Sequence, residues 1–219
     1  MKNYCMLLLC MLALNMQAFA EDAVPQVIPA LQQWKSTKGN LAMPQKGRIV
    51  VGSSCREALS DAAGILSEDL MEMFGMEYAV AEGKAEKGDI YLALSDKDKE
   101  YGVESYRMKI GSNVEITAAD AKGVFWGTRT LLQMLYNQPE GLQKGEALDY
   151  PSYGRRGFML DVARKFFPMD YLEQYVKIMS FYKMNVMQVH LNDNGSVEFF
   201  DNDWDKTYAA FRLECESFP

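Results

Sequence analysis

Histidine is almost missing from this sequence: His190 is the only one among 219 residues. That excludes a histidine-rich metal centre, and a serine–histidine pairing with a second histidine in reserve. Cysteine is nearly as scarce. Of the four, Cys5 and Cys10 fall in the first twenty residues, which leaves Cys55 and Cys215, one in each half of the chain. Two thiols make no disulfide framework, and each reads as a small apolar residue rather than a bridge or a nucleophile. Excess positive charge is lacking too. The 23 Lys and Arg against 30 Asp and Glu give a net charge of −7, a balance that repels phosphate backbones and argues against a nucleic-acid partner. There is no internal repeat and no low-complexity tract. An apolar share of 48% with 24% charged residues is that of a core-forming chain, not a disordered one.

What is present begins with a leader-like stretch. Lys2 supplies a positive start, Met6 to Leu14 an apolar core, and Ala18-Phe-Ala20 a small-x-small cleavage site before Glu21. A membrane anchor is the rival reading, but the apolar run is shorter than the roughly 20 residues that span a bilayer. Cys10 lacks the small residue expected before a lipidated cysteine. Residues 1–20 are therefore expected to be a signal peptide, with the mature chain periplasmic or secreted and no membrane anchor. Its loss moves the net charge from −7 to −8, because Lys2 leaves and no acid does.

Residues 21–148 predict a small α+β domain. Residues 21–46, with Pro25, Pro29 and Pro44, read as a leading segment, followed by a strand over Arg48–Gly52. Ser53-Ser54 is a plausible cap for a helix through Phe74, with Leu59, Ala62, Ala63, Leu66, Leu70 and Met73 on one side. Asp89–Leu94 reads as a strand. Tyr106, Met108 and Ile110 alternate with charged residues, and Gly111-Ser-Asn113 turns that strand into Val114–Ile116 as a hairpin. A second helix is expected over Ala119–Asn137, with Val124, Thr128, Leu131, Leu132 and Leu135 on one face and Pro139 stopping it. Gly123 and Gly127, one turn apart, predict close backbone approach. Both helices are expected on one face of the strands. Residues 138–152, with Pro139, Gly141, Gly145 and Pro151, read as a linker.

The densest signal lies between Arg155 and Asn194. Gly157–Asp161 is a short apolar run with the pattern of a buried strand. Pro168 then introduces Asp170, which can cap a helix while Glu173 reaches back, and Leu172, Val176 and Met179 recur at helical spacing. Asn185 ends that helix, and Val186–Leu191 reads as a second buried strand. Strand, helix, strand in under forty residues is a βαβ unit with parallel strands. Polar residues gather just past the strand ends: Asp161 and Arg164 after the first, Asn192, Asp193 and Asn194 after the second. In parallel α/β architectures that edge carries the chemistry. Beyond Asn194, Phe199–Trp204 and Tyr208–Phe211 predict a long aromatic loop with a short helix at most.

Other constellations are weaker. Asp201, Asp203 and Asp205 alternate, but Lys206 and Arg212 stand where a calcium loop beginning at Asp201 needs glycine and glutamate. A solvated acidic loop is the expectation, and no metal. Gly52-Ser-Ser-Cys-Arg56 lacks the glycine spacing and lysine of a phosphate loop. His190, inside an apolar strand, reads as a hydrogen-bonded core histidine ahead of a catalytic one. Arg164, just past a strand end and near Asp161, suits bidentate contact with vicinal hydroxyls or a carboxylate; a structural Arg–Asp pair fits that spacing equally.

Arg155–Pro168 (RRGFMLDVARKFFP) and Lys183–Asp193 (KMNVMQVHLND) closely resemble the opening of the catalytic barrel of glycoside hydrolase family 20, the exo-β-N-acetylhexosaminidases. The region ending in Lys122–Leu135 (KGVFWGTRTLLQML) is similar to the small α+β domain that precedes that barrel. The resemblance covers roughly residues 25–194. It implies a small α+β domain over 21–148 and, over 149–219, the first strands of an incomplete TIM barrel, with no cofactor. It also implies a glycan substrate bearing a terminal N-acetylhexosamine. In the family, the arginine matching Arg164 binds hydroxyls of the terminal sugar. The aspartate matching Asp193 supports the general acid through a later histidine, and His190 matches a family histidine beside it. Lys165 stands where the family usually has histidine, and Asn194 where it has a second acid. The implied reaction is substrate-assisted: the acetamide oxygen attacks the anomeric carbon, an aspartate orients it, and the adjacent glutamate protonates the leaving oxygen. No Asp-Glu dipeptide follows Asp193. A whole (β/α)8 barrel takes about 250 residues, whereas 69 run from Pro151 to Pro219. The chain is therefore expected to be an amino-terminal fragment without the acid/base pair. A non-catalytic carbohydrate-binding or docking fragment is the alternative, as is a glycoside hydrolase of another family with a similar small domain.

Overall fold

The computed structural model describes residues 24–207 and Phe211, and its chain divides into two units after Ser152. The leader expectation and Cys215 lie outside the described residues.

In the first unit, two helices cover one face of a seven-stranded mixed sheet. Its strands are β1 (Gln33–Leu41), β2 (Lys46–Val51), β3 (Glu77–Glu82), β4 (Ile90–Leu94), β5 (Tyr106–Ile110), β6 (Val114–Ala118) and β7 (Leu142–Asp149). They lie in the order β1-β7-β5-β6-β4-β2-β3, with β3, β2, β4 and β6 mutually parallel and β5, β7 and β1 joined by antiparallel pairings. Helix α1 (Arg56–Phe74) buries Leu59, Ala62, Ala63, Leu66 and Leu70, the stripe that 3.6-residue spacing sets on one side. It ends at Gly75, whose left-handed φ of 66° lets its N–H reach back to the carbonyl of Met71 at 3.0 Å. Helix α2 (Ala121–Asn137) starts on Asp120, whose carboxylate accepts the Lys122 N–H at 2.9 Å.

The two helices touch each other and share β4, so they occupy the same face. Arg129, buried in α2, pairs with Asp69 of α1 at 2.5 Å and lies over the Phe125 ring. The core is the helix-facing set of strand residues, including Ile49, Leu92, Tyr106, Met108 and Ile116, all essentially removed from water. Burying each such side chain contributes roughly 1.5–3 kcal/mol. Gly123 and Gly127 make the close approach expected of them. A Cβ on Gly123 would meet the Ser105 carbonyl oxygen at 2.2 Å, and one on Gly127 would meet Ile116 Cγ2 at 2.5 Å.

Three sequence expectations give way here. Residues 138–152 are not a linker, because Leu142–Asp149 is strand β7, which pairs with both β1 and β5. Gly145 is a seat rather than a break: the Trp34 ring lies where its Cβ would be, at 2.5 Å. The leading segment contains β1, an edge strand whose polar side chains hide its pairing. Edge strand β3 carries no buried run that would mark it in the sequence. Ser53-Ser54 forms a 3-10 turn and caps α1 with neither side chain.

The leading segment is held by buried polar groups. Gln133 of α2 grips Ile28 through both its N–H and its carbonyl, at 2.7 and 2.8 Å. Asp149 at the end of β7 accepts the Tyr106 hydroxyl at 2.6 Å and the Gln32 N–H at 3.1 Å. Thr130 completes that group at 2.6 Å from the Tyr106 oxygen, and burial holds the Tyr106 hydroxyl well above its usual pKa.

The second unit is a parallel pair, β8 (Gly157–Asp161) and β9 (Val186–His190), joined by helix α3 (Met169–Phe181). Its register sets Asp161 beside His190. The expected capping box is not formed. The helix opens at Pro168 without a side-chain cap, which leaves Asp170 inside the first turn, bonded to the Tyr171 N–H. Nor does Asn185 end the helix, which stops at Phe181. Asn185 instead ties the start of β8, accepting the Arg156 N–H at 2.9 Å and donating to Gly154 O at 2.8 Å. Of the stripe Leu172, Val176 and Met179, only Met179 is buried, and Val176 stays 50% exposed because two strands make too narrow a sheet to cover a helix face. After β9 come a 3-10 turn over Val197–Phe200, helix α4 (Trp204–Thr207) and a bridge between Asp193 and Phe211. Among the described residues no helix is long and apolar enough to cross a membrane.

Candidate functional site

The ends of β8 and β9 are joined by a closed ring of polar contacts. Asp161, the last residue of β8, turns its carboxylate onto the loop that follows. Oδ1 accepts the backbone N–H groups of Ala163 and Arg164, each at 3.1 Å, and Oδ2 accepts from Arg164 Nη1 at 2.8 Å. Arg164 Nη2 then reaches Asp193 Oδ2 at 2.5 Å, and the same oxygen meets His190 Nε2 at 2.6 Å. The ring closes through the backbone, where the His190 carbonyl accepts the N–H groups of Val162 and Ala163, both at 3.1 Å. Parallel register explains the meeting, because it puts the last residues of both strands side by side. Asp193 is further fixed by the Asn194 N–H on Oδ1 at 2.7 Å and by paired backbone bonds to Phe211.

Charge follows geometry. The Arg164 backbone N–H, then its guanidinium, holds the Asp161 carboxyl below the usual carboxylate range. The His190 hydrogen bond, then the Asn194 N–H and the Arg164 charge, does the same for Asp193. Both acids are therefore acceptors at neutral pH. Neither is placed to give up a proton. The Arg164 side chain is 54% exposed, so the guanidinium is fixed on one side and open on the other. An arginine held in this way suits contact with the hydroxyls or carboxylate of a ligand.

The structure brings together Arg164, Asp193 and His190, and with them Asp161, the acid that the sequence places beside Arg164 and that pairs with it here. The core reading of His190 is corrected. Its side chain is 36% exposed and bonds to Asp193 rather than to the interior, because it sits at the strand's last position. Asp161, His190 and Asp193 present one oxygen or nitrogen each within 4.8 Å of one another, a spacing that would suit a metal ion. Here the guanidinium already bridges the two carboxylates. Among the acidic loop residues, Asp203 accepts the N–H groups of Asp205 and Lys206 in the first turn of α4, at 3.0 and 3.3 Å. Gly52–Arg56 makes a 3-10 turn whose Cys55 is buried and accepts the Leu94 N–H at 3.3 Å.

Sequence reading missed what holds the far end of the Arg164 loop. Phe167 stacks on Tyr171 of α3 at 5.1 Å between ring centroids, Lys165 lies over the Phe167 ring at 5.8 Å, and Tyr175 carries the series on to Phe158 of β8. The aromatic pair at i, i+4 in α3, Tyr171 and Tyr175, is the signal that could have found it.

Two family models match the chain: "Glycosyl hydrolase family 20, domain 2" over residues 24–150, and "Glycosyl hydrolase family 20, catalytic domain" over residues 153–200. A beta-N-acetylhexosaminidase of Cellulomonas fimi is 33% identical over 175 residues, covering 77% of this chain and 34% of the relative. A beta-hexosaminidase of Porphyromonas gingivalis is 27% identical over 207 residues, covering 88% of this chain and 24% of the relative. Among solved structures, a mutant Streptomyces plicatus beta-hexosaminidase in complex with its product GlcNAc superposes with a TM-score of 0.65 at 29% identity, over 80% of this chain and 36% of the other. The chain thus spans about a third or less of the length of these relatives.

Proposed function

The chain belongs to glycosyl hydrolase family 20, and on that premise we propose that it is the amino-terminal part of an exo-β-N-acetylhexosaminidase that removes terminal N-acetylhexosamine from glycans. In this reading β8, α3 and β9 are the opening of a TIM barrel, and the polar ring lies at the carboxyl ends of its strands, where such barrels place their sites. The observation that carries the reading is the half-exposed Arg164 guanidinium, held on two sides by Asp161 and Asp193. Its free edge suits the vicinal hydroxyls of a terminal sugar, while Asp193 and His190 supply support behind it. The names of the relatives favour an N-acetylhexosamine as that sugar. The leader-like stretch from Lys2 to Ala20 favours export to a periplasmic or extracellular space, and the acidic balance favours a glycan over a nucleic acid.

Substrate-assisted hydrolysis needs a general acid within hydrogen-bond reach of the glycosidic oxygen. Asp161 and Asp193 are committed acceptors, and no Asp-Glu pair follows Asp193. These 219 residues by themselves therefore hold sugar without cleaving it. That observation also favours the second reading, a non-catalytic carbohydrate-binding module. Both are tested on the purified chain with a nitrophenyl N-acetyl-β-glucosaminide and, separately, by saturation-transfer NMR with N-acetylglucosamine. The expected result is no nitrophenol release together with sugar binding that Arg164→Ala abolishes. Turnover above a no-enzyme blank, lost in Arg164→Ala, would show that the chain contains its own acid. A folded chain that ignores the sugar would sink the contact assigned to Arg164.

A further inference from the structure

We propose, resting on the sugar-contact reading of Arg164, that Asp161 is a positioning residue: its carboxylate sets the direction in which the Arg164 guanidinium faces a ligand. The loop from Val162 to Pro168 is anchored at both ends. Its start hangs from the His190 carbonyl through the N–H groups of Val162 and Ala163, and its end is pinned where Phe167 stacks on Tyr171. Those anchors hold the backbone. The long side chain between them is half in water and would otherwise sample many rotamers.

Two carboxylates remove that freedom. Asp161 takes Nη1 and Asp193 takes Nη2, at 2.8 and 2.5 Å, so the planar fork is gripped at two nitrogens from the ends of two different strands. A guanidinium carries five N–H donors, so roughly three remain beyond these two contacts. The two acids are not equivalent. Asp193 divides its oxygens among Arg164, His190 and the Asn194 N–H. Asp161 makes all its side-chain bonds to the Arg164 loop: the Ala163 N–H, the Arg164 N–H and the Arg164 guanidinium. One carboxylate thus couples the backbone turn to the side-chain direction, whereas Asp193 holds the side chain alone. Preorganisation of this kind places binding groups before the ligand arrives, which is where affinity is gained.

The turn and the ion pair can be separated. Asp161→Asn keeps an oxygen that accepts both backbone N–H groups but removes the charge that holds Nη1. The measurement is nitrogen-15 NMR of the full chain, with the Arg164 guanidinium signals identified by their loss in Arg164→Lys. Hindered guanidinium rotation keeps the Nη signals separate in the parent chain, and they are expected to merge in Asp161→Asn while the amide signals of β8 and β9 stay in place. In parallel, N-acetylglucosamine affinity is expected to fall roughly tenfold in Asp161→Asn, because the guanidinium is no longer held in its binding direction before the ligand arrives. Should Asp161→Asn fail to fold, Asp161→Ser, whose hydroxyl can also close the turn, takes its place. Nη signals that stay separate in the variant overturn the positioning role whatever the sugar does. Merged signals in a chain whose parent binds no sugar uphold the positioning and overturn the sugar contact instead.

Discussion

Gly64 and Gly127 both lie inside helices, yet their surroundings demand opposite things of them. Nothing lies within 4 Å of where a Cβ on Gly64 would stand, so Gly64→Ala is expected to stabilise the first unit by about 0.5–1 kcal/mol through helix propensity alone. Gly127→Ala would drive a methyl to 2.5 Å from Ile116 Cγ2 and 3.0 Å from the Tyr106 ring, at a cost of roughly 1–3 kcal/mol for overpacking. Urea unfolding of the two variants checks both signs. The two site carboxylates make a pH prediction at the same scale. A carboxyl whose pKa is depressed in the folded chain contributes stability that is complete above the unfolded-chain value and lost as pH falls through the folded one. For Asp161 and Asp193 that window lies below about pH 4. Amide signals of β8 and β9 are expected to hold their positions from neutral pH to the ordinary carboxylate range and to shift beneath it. Asp193→Asn should flatten that response, and an unchanged response would mean that the ring does not link the strand ends.

Between elements, the buried Arg129–Asp69 pair joins α2 to α1. Asp69→Ala leaves a cation that is 3% exposed without its counter-charge, and the expected loss is roughly 3–5 kcal/mol. A thermal melt close to that of the parent would show that the Phe125 ring suffices. What was legible in the sequence follows the strength of each element's pattern. Helices α1 and α2 and the β5–β6 hairpin carry apolar residues at their proper period and stand where the period puts them. Elements β8, α3 and β9 form in the expected order, but the two strands read as buried are not, since a two-stranded sheet leaves them partly in water. Strands β1 and β3 lie at the sheet edges, where one flank faces water and polar residues are tolerated, so no period survives to be read. Strand β7 was masked by Gly141 and Gly145, whose reasons are a left-handed turn and the Trp34 ring. The site divides in the same way. Arg164, Asp193 and His190 stood out by type and place, but the role of Asp161 depends on two turn bonds that spacing alone could not separate from an ordinary ion pair. Side-chain capping failed as a guide at both Ser53-Ser54 and Asp170, since each helix began one or more residues from the expected start.

Across the whole chain the two units differ in how fully they are covered. The first closes two helices over seven strands. The second leaves Met159 51% and Val189 40% exposed on two strands. Limited proteolysis of the full chain is expected to clear the second unit first and leave a resistant core near residues 24–152; equal survival of both halves would contradict that. The sheet order has a consequence for the chain as it is made. Strand β1 bonds only to β7, with Gln33 opposite Leu148, and Ile28 and Gln32 dock on groups contributed by Gln133 and Asp149. A nascent chain read out from its amino end can assemble β2, α1, β3 and β4 early, but its first strand has no place to go until Asp149 has emerged. During synthesis the first unit therefore waits, its opening residues left unpaired, on a strand made more than a hundred residues later.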